Sequence, residues 1–248
     1  MRAKPIFPPN LARLSSQGRT DARRNDAKKK MPEEMTPETF AATYHVSRET
    51  LARLMAYQAL LGKWQQSVNL VGPNTLAHFW QRHAADSAQI LRHAPDMATS
   101  WLDLGSGGGL PGLVLAIMLA EKAPEARMHF IESDRKKAGF LRAVIADIGL
   151  AATVHHARIE AVSEAMPPEL AKIDVITARA LAPLPDLLRL LAPFCNSSTV
   201  ALVHKGRNWQ EELTASEQYW KLSVTAQVSD TDPAARILEI RAVSPITG

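Results

Sequence analysis

The chain has 248 residues, 46% of them hydrophobic and 22% charged; at that length folding buries roughly 70–75% of the unfolded surface, so a core needs no disulfide or structural metal. The single cysteine, Cys195, excludes a disulfide framework, a thiolate zinc site and an iron–sulfur cluster, and fits a reducing, cytoplasmic setting. The net charge is +4, but no run of about 18 apolar residues and no apolar secretion block accompanies it, so a soluble, non-exported protein is expected.

The charge is unevenly distributed. Residues 1–30 hold nine Lys/Arg against Asp21 and Asp26, a net +7, so the rest of the chain carries −3. With no apolar periodicity, residues 1–35 are predicted to be a disordered basic tail, because so polar a segment cannot offset the entropy of ordering itself. A transit peptide is the competing reading, weakened by the two acids and the missing amphipathic stripe. From Thr36 to Pro95 the pattern is helical. Thr36-Pro37-Glu38 supplies a cap and a first-turn proline, then Leu51, Leu54, Met55, Gln58, Leu61 and Trp64 recur at helical spacing. After a break at Val71-Gly72-Pro73-Asn74, a second helical stretch runs through Phe79, Trp80 and His83 to Leu91. His83 and Asp86, three apart, share a face and read as buried, hydrogen-bonded structural residues.

Beyond residue 96 strands alternate with helices. Strands are predicted at Trp101–Leu104, Met128–Ile131, Ala152–His155, Ile173–Thr177 and Thr199–His204, with helices starting near Pro111, spanning Phe140 to Ile148, and running from Leu184 to Leu191. Such alternation gives a parallel, doubly wound α/β sheet with right-handed crossovers. Leu222–Val228 and Arg236–Val243 have no helical segment between them and are expected to pair as a C-terminal antiparallel hairpin.

Ligands of such sheets bind beyond the carboxyl ends of the strands. The first strand runs there into Gly105-Ser106-Gly107-Gly108-Gly109-Leu110-Pro111-Gly112. Clustered glycines adopt positive φ and let a ligand approach the backbone, which suits a nucleotide-like cofactor. Gly107, Gly109 and Gly112 formally match the dinucleotide pattern G-x-G-x-x-G. Yet the turn leaves the strand at Gly105, and in that register Leu110 stands where the third glycine belongs. Glu132, closing the second strand, can accept hydrogen bonds from both ribose hydroxyls of either cofactor.

Asp103-Leu104-Gly105-Ser106-Gly107-Gly108-Gly109 resembles motif I of the class I, Rossmann-like S-adenosylmethionine-dependent methyltransferases. Further blocks narrow the resemblance: Asn69-Leu70-Val71, Arg82-His83-Ala84-Ala85-Asp86-Ser87, Glu132-Ser133-Asp134-Arg135-Lys136-Lys137, Ala157-Arg158-Ile159-Glu160, Ala178-Arg179-Ala180 and Lys205-Gly206. Over residues 50 to 245 the chain resembles the 16S ribosomal RNA guanine-N7 methyltransferases, also called the glucose-inhibited division protein B family. The resemblance implies a methyl group passed from S-adenosylmethionine to N7 of guanine-527 in 16S rRNA. It also implies a cofactor held by Gly105, Gly107, Leu110, Ile159, Glu160 and Arg179, with Glu132 and Ser133 added on the ribose argument. The domain division expected is a tail (1–35), a helical lobe (36–95) and a methyltransferase domain (96–248). The lobe before Asn69 carries little of the resemblance, and His204 stands where an apolar residue is usual in the family.

The residues also bear on the target atom. Methylating a pyrimidine carbon needs a cysteine nucleophile, and Cys195 sits away from the predicted strand ends. The Asp/Asn-Pro-Pro-aromatic clamp common for exocyclic amines is missing; Ala178-Arg179-Ala180-Leu181 occupies its place. Guanine N7 already exposes a lone pair and needs no general base. In-line displacement is therefore expected, with Arg179 and Lys205 orienting the base or phosphates. Arg135, Lys136, Lys137, Arg142, Lys205 and Arg207 are the candidate RNA contacts, in naked 16S rRNA or in the small subunit, by a monomeric enzyme. The histidines show no metal spacing. Competing readings are a nicotinamide oxidoreductase and a noncatalytic ribosome-assembly factor.

Overall fold

A computed structural model describes residues 35–246; apart from Met35, the predicted tail lies outside the described residues. The lobe opens with α1 (Pro37–Tyr44), whose N-cap Thr36 forms a capping box with Thr39, and α2 (Arg48–Gln65), capped by Ser47. The buried face of α2 is Thr50, Leu54, Tyr57 and Leu61. The expected stripe is therefore rotated: Met55 is half exposed, and Tyr57 replaces it inside because its hydroxyl finds a buried acceptor. The second helical stretch is irregular. A wide π-type turn over Trp80–Ala85 leads into the short α3 (Asp86–Ala88) and a tighter turn, Gln89–Arg92.

Seven strands follow: β1 (Ser100–Leu104), β2 (Arg127–Ile131), β3 (Ala152–His155), β4 (Val175–Arg179), β5 (Val200–Lys205), β6 (Trp220–Val228) and β7 (Arg236–Pro245). Their order in the sheet is β3-β2-β1-β4-β5-β7-β6. The first five are parallel, and β7 runs antiparallel between β5 and β6. The order reverses between β1 and β4, which opens a crevice at their carboxyl ends. The expected doubly wound sheet with a C-terminal hairpin is thus the observed one, with β4 starting two residues later than predicted. The connecting helices are α4 (Gly112–Lys122), α5 (Arg135–Ile148), α6 (Ile159–Ala165), α7 (Leu184–Leu191) and α8 (Trp209–Glu217).

Period-two alternation sends Trp101 to one side of the sheet and Leu102 and Leu104 to the other, where separate apolar clusters form. The first cluster joins lobe residues Phe40, Leu54 and Tyr57 to Leu113, Ile117, Phe130 and Phe140. Helix α4 is buried at every position from Gly112 to Leu119, because the sheet covers one side and the lobe the other. Ser47 and Thr50 both hydrogen-bond Glu121 of α4, fixing α2 against it. Among the described residues no helix is long and apolar enough to cross a membrane.

Candidate active site

The turn after β1 is held from three directions. The Gly105 and Ser106 amides donate to the Ile131 carbonyl (2.9 and 3.2 Å), and the Gly107 amide donates to Glu132 Oε2 (2.7 Å). Glu132 Oε1 takes the Asp134 amide (2.7 Å), so this buried carboxylate braces both the glycine turn and the start of α5. From the lobe, the Tyr57 hydroxyl donates to the Gly108 carbonyl (2.5 Å). Gln65 accepts from the Leu70 and Val71 amides (2.9 and 3.0 Å) and donates to the Val71 carbonyl (2.8 Å). That seats Leu70 so close to Gly108 that a Cβ there would lie 2.9 Å from the Leu70 carbonyl oxygen. The lobe, whose role the sequence leaves open, is thus a brace for the turn.

Gly105 and Gly107 take φ of 63° and 54°, as the glycine cluster predicts. They line a cleft of about 290 Å³ with Glu132, Ser133, Ile159 and Glu160. Six of the eight expected cofactor residues therefore share one cavity. Leu110 is buried outside it, and Arg179 turns to a second cleft. A Cβ on Gly107 would meet nothing nearer than the Gly105 oxygen at 3.8 Å, so the turn presents open space to this cleft. A carboxylate has about four acceptor sites, and Glu132 spends two on backbone amides. Its free lone pairs and the bare turn fit a ribose and its attached groups. Lys137, expected on RNA, also lines this cavity.

The second cleft, about 430 Å³, is lined by Asp86, Arg179, Ala180, His204, Lys205 and Thr231 among others. Ala180 borders both clefts, at φ 54° although it is not glycine. Arg179 pairs with Asp86 Oδ2 (3.0 Å), donates to the Arg82 carbonyl (3.2 Å) and meets His83 Nδ1 at 3.1 Å. Asp86 Oδ1 accepts from Thr231 (2.7 Å) and Gln89 (3.0 Å), and His204 Nε2 donates to the Asp86 carbonyl (2.8 Å). Burial alone would raise the Asp86 carboxyl, but facing His204 and Arg179 outweigh it and hold the group below its ordinary range. Burial and then the Arg179 cation push His83 down to about 4. His204 is likewise lowered by burial. The buried, bonded reading of His83 and Asp86 is correct, but their shared partner Arg179 was not foreseen.

Lys205 is buried rather than presented to solvent. It pairs with Glu212 of α8 (2.5 Å) and donates to the Ala182 carbonyl (3.0 Å). Arg135, Lys136, Arg142 and Arg207 are exposed. Cys195 follows the turn after α7, with burial pushing its thiol up to about 12. The sequence reading gives no role to Asp103. Its carboxyl is buried beneath the glycine turn, accepts from Thr177 (2.6 Å) and leaves Oδ2 unpartnered; burial raises it to about 6. Its place two residues before Gly105 was the available signal.

A switch-point crevice over five parallel strands, a glycine turn at positive φ, an acid after β2 and an antiparallel β7 set between β5 and β6 together give the class I, Rossmann-like methyltransferase fold. Residues 50–235 match the family model of rRNA small subunit methyltransferase G (GidB). The "Ribosomal RNA small subunit methyltransferase G" of Parvibaculum lavamentivorans is 45% identical over 210 residues, 85% of this chain and 91% of the relative; that of Cereibacter sphaeroides is 46% identical over 208, 83% and 96%. The chain belongs to the rRNA small subunit methyltransferase G family, a family of S-adenosylmethionine-dependent rRNA methyltransferases. At the level of fold it also superposes on cofactor-bound Rv0187 from MTB, with TM-score 0.54, 12% identity, and 86% and 98% of the two chains covered.

Proposed function

We propose that this protein transfers a methyl group from S-adenosylmethionine to N7 of guanine-527 in 16S rRNA by in-line displacement without a general base. The observation that carries this reading is that the two clefts meet at Ala180, and that the titratable groups packed around the neighbouring Arg179 are already committed to one another. Asp86 is engaged by Arg179, His204, Thr231 and Gln89, while burial lowers both His83 and His204. A target needing deprotonation would be poorly served here, whereas guanine N7 offers a ready lone pair.

When bound, S-adenosylmethionine supplies an electrophilic methyl group on a sulfonium. Gly105, Gly107, Glu132, Ser133, Ile159 and Glu160 hold it in the first cleft, and the guanine enters the second beside Arg179. Aligning two reactants in this way is worth roughly 7–11 kcal/mol of barrier without acid–base chemistry. Exposed Arg135, Lys136, Arg142 and Arg207 supply the phosphate contacts, so binding weakens steeply with salt.

The test supplies labelled cofactor to unmodified small subunits and to naked 16S rRNA, then locates the modified nucleotide. Label at N7 of guanine-527 supports the reading; label on another nucleotide or atom, or none, refutes it. Cys195→Ala is expected to retain turnover, and its loss in folded protein would rule out direct displacement.

A further inference from the structure

The segment 180–183 joins β4 to α7 and begins with the wall between the two clefts. Ala180 lines each of them, and Leu181 lines the first, so close over Gly105 that a side chain there would strike its Cδ1. Ala180 holds a left-handed backbone that is strained for a non-glycine residue, a conformation that persists only where its surroundings enforce it. On the β4 side the enforcement is the Arg179 anchor.

On the α7 side it is a second buried unit. Lys205 Nζ, at the end of β5, reaches the Ala182 carbonyl at 3.0 Å and Glu212 Oε2 at 2.5 Å. The same Glu212 oxygen accepts the Leu184 amide at 2.7 Å. Lys205 is 9% exposed and Glu212 26%, so a charge-assisted triangle ties β5 and α8 to both flanks of Pro183.

We infer that Lys205 and Glu212 are positioning residues for methyl transfer, acting together through the 180–183 segment rather than on the RNA backbone. This rests on the methyltransferase reading above. Lys205 spends its cation on Glu212, and its remaining contact is a carbonyl of the wall itself. Loosening the wall moves Leu181 off the glycine turn and Ala180 off the junction, so cofactor binding and turnover fall together.

The test uses full-length Lys205→Met, Glu212→Leu and the double variant. Each single change is expected to weaken adenosylhomocysteine binding by calorimetry, and to lower kcat, by tenfold to about a hundredfold, as small misplacements do. The double variant is expected to be no worse than the poorer single, and the salt dependence of rRNA binding to match the parent's. Should Lys205→Met alone lower the salt slope by about 0.7–0.9 while Glu212→Leu behaves as the parent, Lys205 is a phosphate contact and the inference fails. It fails equally if both singles bind cofactor and turn over normally. If the singles do not fold, Glu212→Gln, which keeps an acceptor for the Leu184 amide but takes the counter-charge from Lys205, is expected to fold and to bind adenosylhomocysteine up to about tenfold more weakly than the parent. A folded Gln variant equal to the parent in both cofactor binding and kcat overturns the positioning role. Hydrogen exchange at the Leu184 amide, faster in Glu212→Leu, reads the clamp without any cofactor. A parent protein that binds no adenosylhomocysteine therefore defeats the functional reading, and an unchanged Leu184 amide defeats the clamp.

Discussion

Tyr57→Phe isolates the link between the helical lobe and the cofactor turn. Phenylalanine keeps the edge-on contact with Phe79 (5.7 Å, 72°) and the tilted one with Phe140 (6.4 Å, 37°). Only the hydroxyl that donates to the Gly108 carbonyl is lost. Burial pushes that hydroxyl's titration well up, so it is a donor throughout the accessible pH range. Removing one partner of a buried pair costs about 1–3 kcal/mol, because the carbonyl is stranded. In a chain of this size each kcal/mol lowers Tm by about 2–4 °C, so a fall of roughly 2–12 °C is expected by calorimetry. The loss falls on the turn, so adenosylhomocysteine should bind roughly fivefold more weakly if about 1 kcal/mol of it must be recovered on binding. Tyr57→Ala, which also empties a cavity, should cost about 3–5 kcal/mol. A Phe variant equal to the parent in both Tm and cofactor affinity would refute the brace.

Two further perturbations test the turn from below and above. Asp103 has a carboxyl raised from 3.8 to about 6 in the folded protein, so between these values the folded state binds more protons than the unfolded chain and stability falls as pH rises. The displacement is worth roughly 3 kcal/mol; Asp103→Asn should flatten that part of the Tm–pH profile, and an unchanged slope would show that Asp103 does not cause it. Gly105→Ala meets both the left-handed backbone, about 1–2 kcal/mol, and Leu181 across the turn. It is expected to lose cofactor binding while staying folded, and a thermal shift with adenosylhomocysteine equal to the parent's would contradict the geometry.

Features that depend on local pattern were legible in the sequence, and features that depend on distant partners were not. The parallel strands, α7 and the glycine turn follow from short apolar runs, helical spacing and clustered glycines. The helices α6 and α8 went unpredicted. The first has only seven residues, and α8 reads Trp209-Gln-Glu-Glu-Leu-Thr-Ala-Ser-Glu, whose single fully buried residue is Ser216. Missing α8 hid Glu212, and with it the burial of Lys205, which as an isolated Lys-Gly pair reads as a surface cation. Arg179 was expected on the cofactor but spends its donors on Asp86, His83 and Arg82, residues more than ninety positions away. Tyr57 carries no mark in the local pattern of its role either, since its acceptor lies 51 residues downstream.

The interlock of lobe and sheet also bears on how this chain can be cut and recombined. A fragment starting near residue 96 would lose Tyr57 and Gln65 and bare the outer side of α4, whose residues from Leu113 to Leu119 are apolar. Such a piece would be both sticky and unable to shape its own ligand loop. Hybrids between relatives should therefore carry residues 37–122 as one block, with seams placed among the exposed positions beyond it.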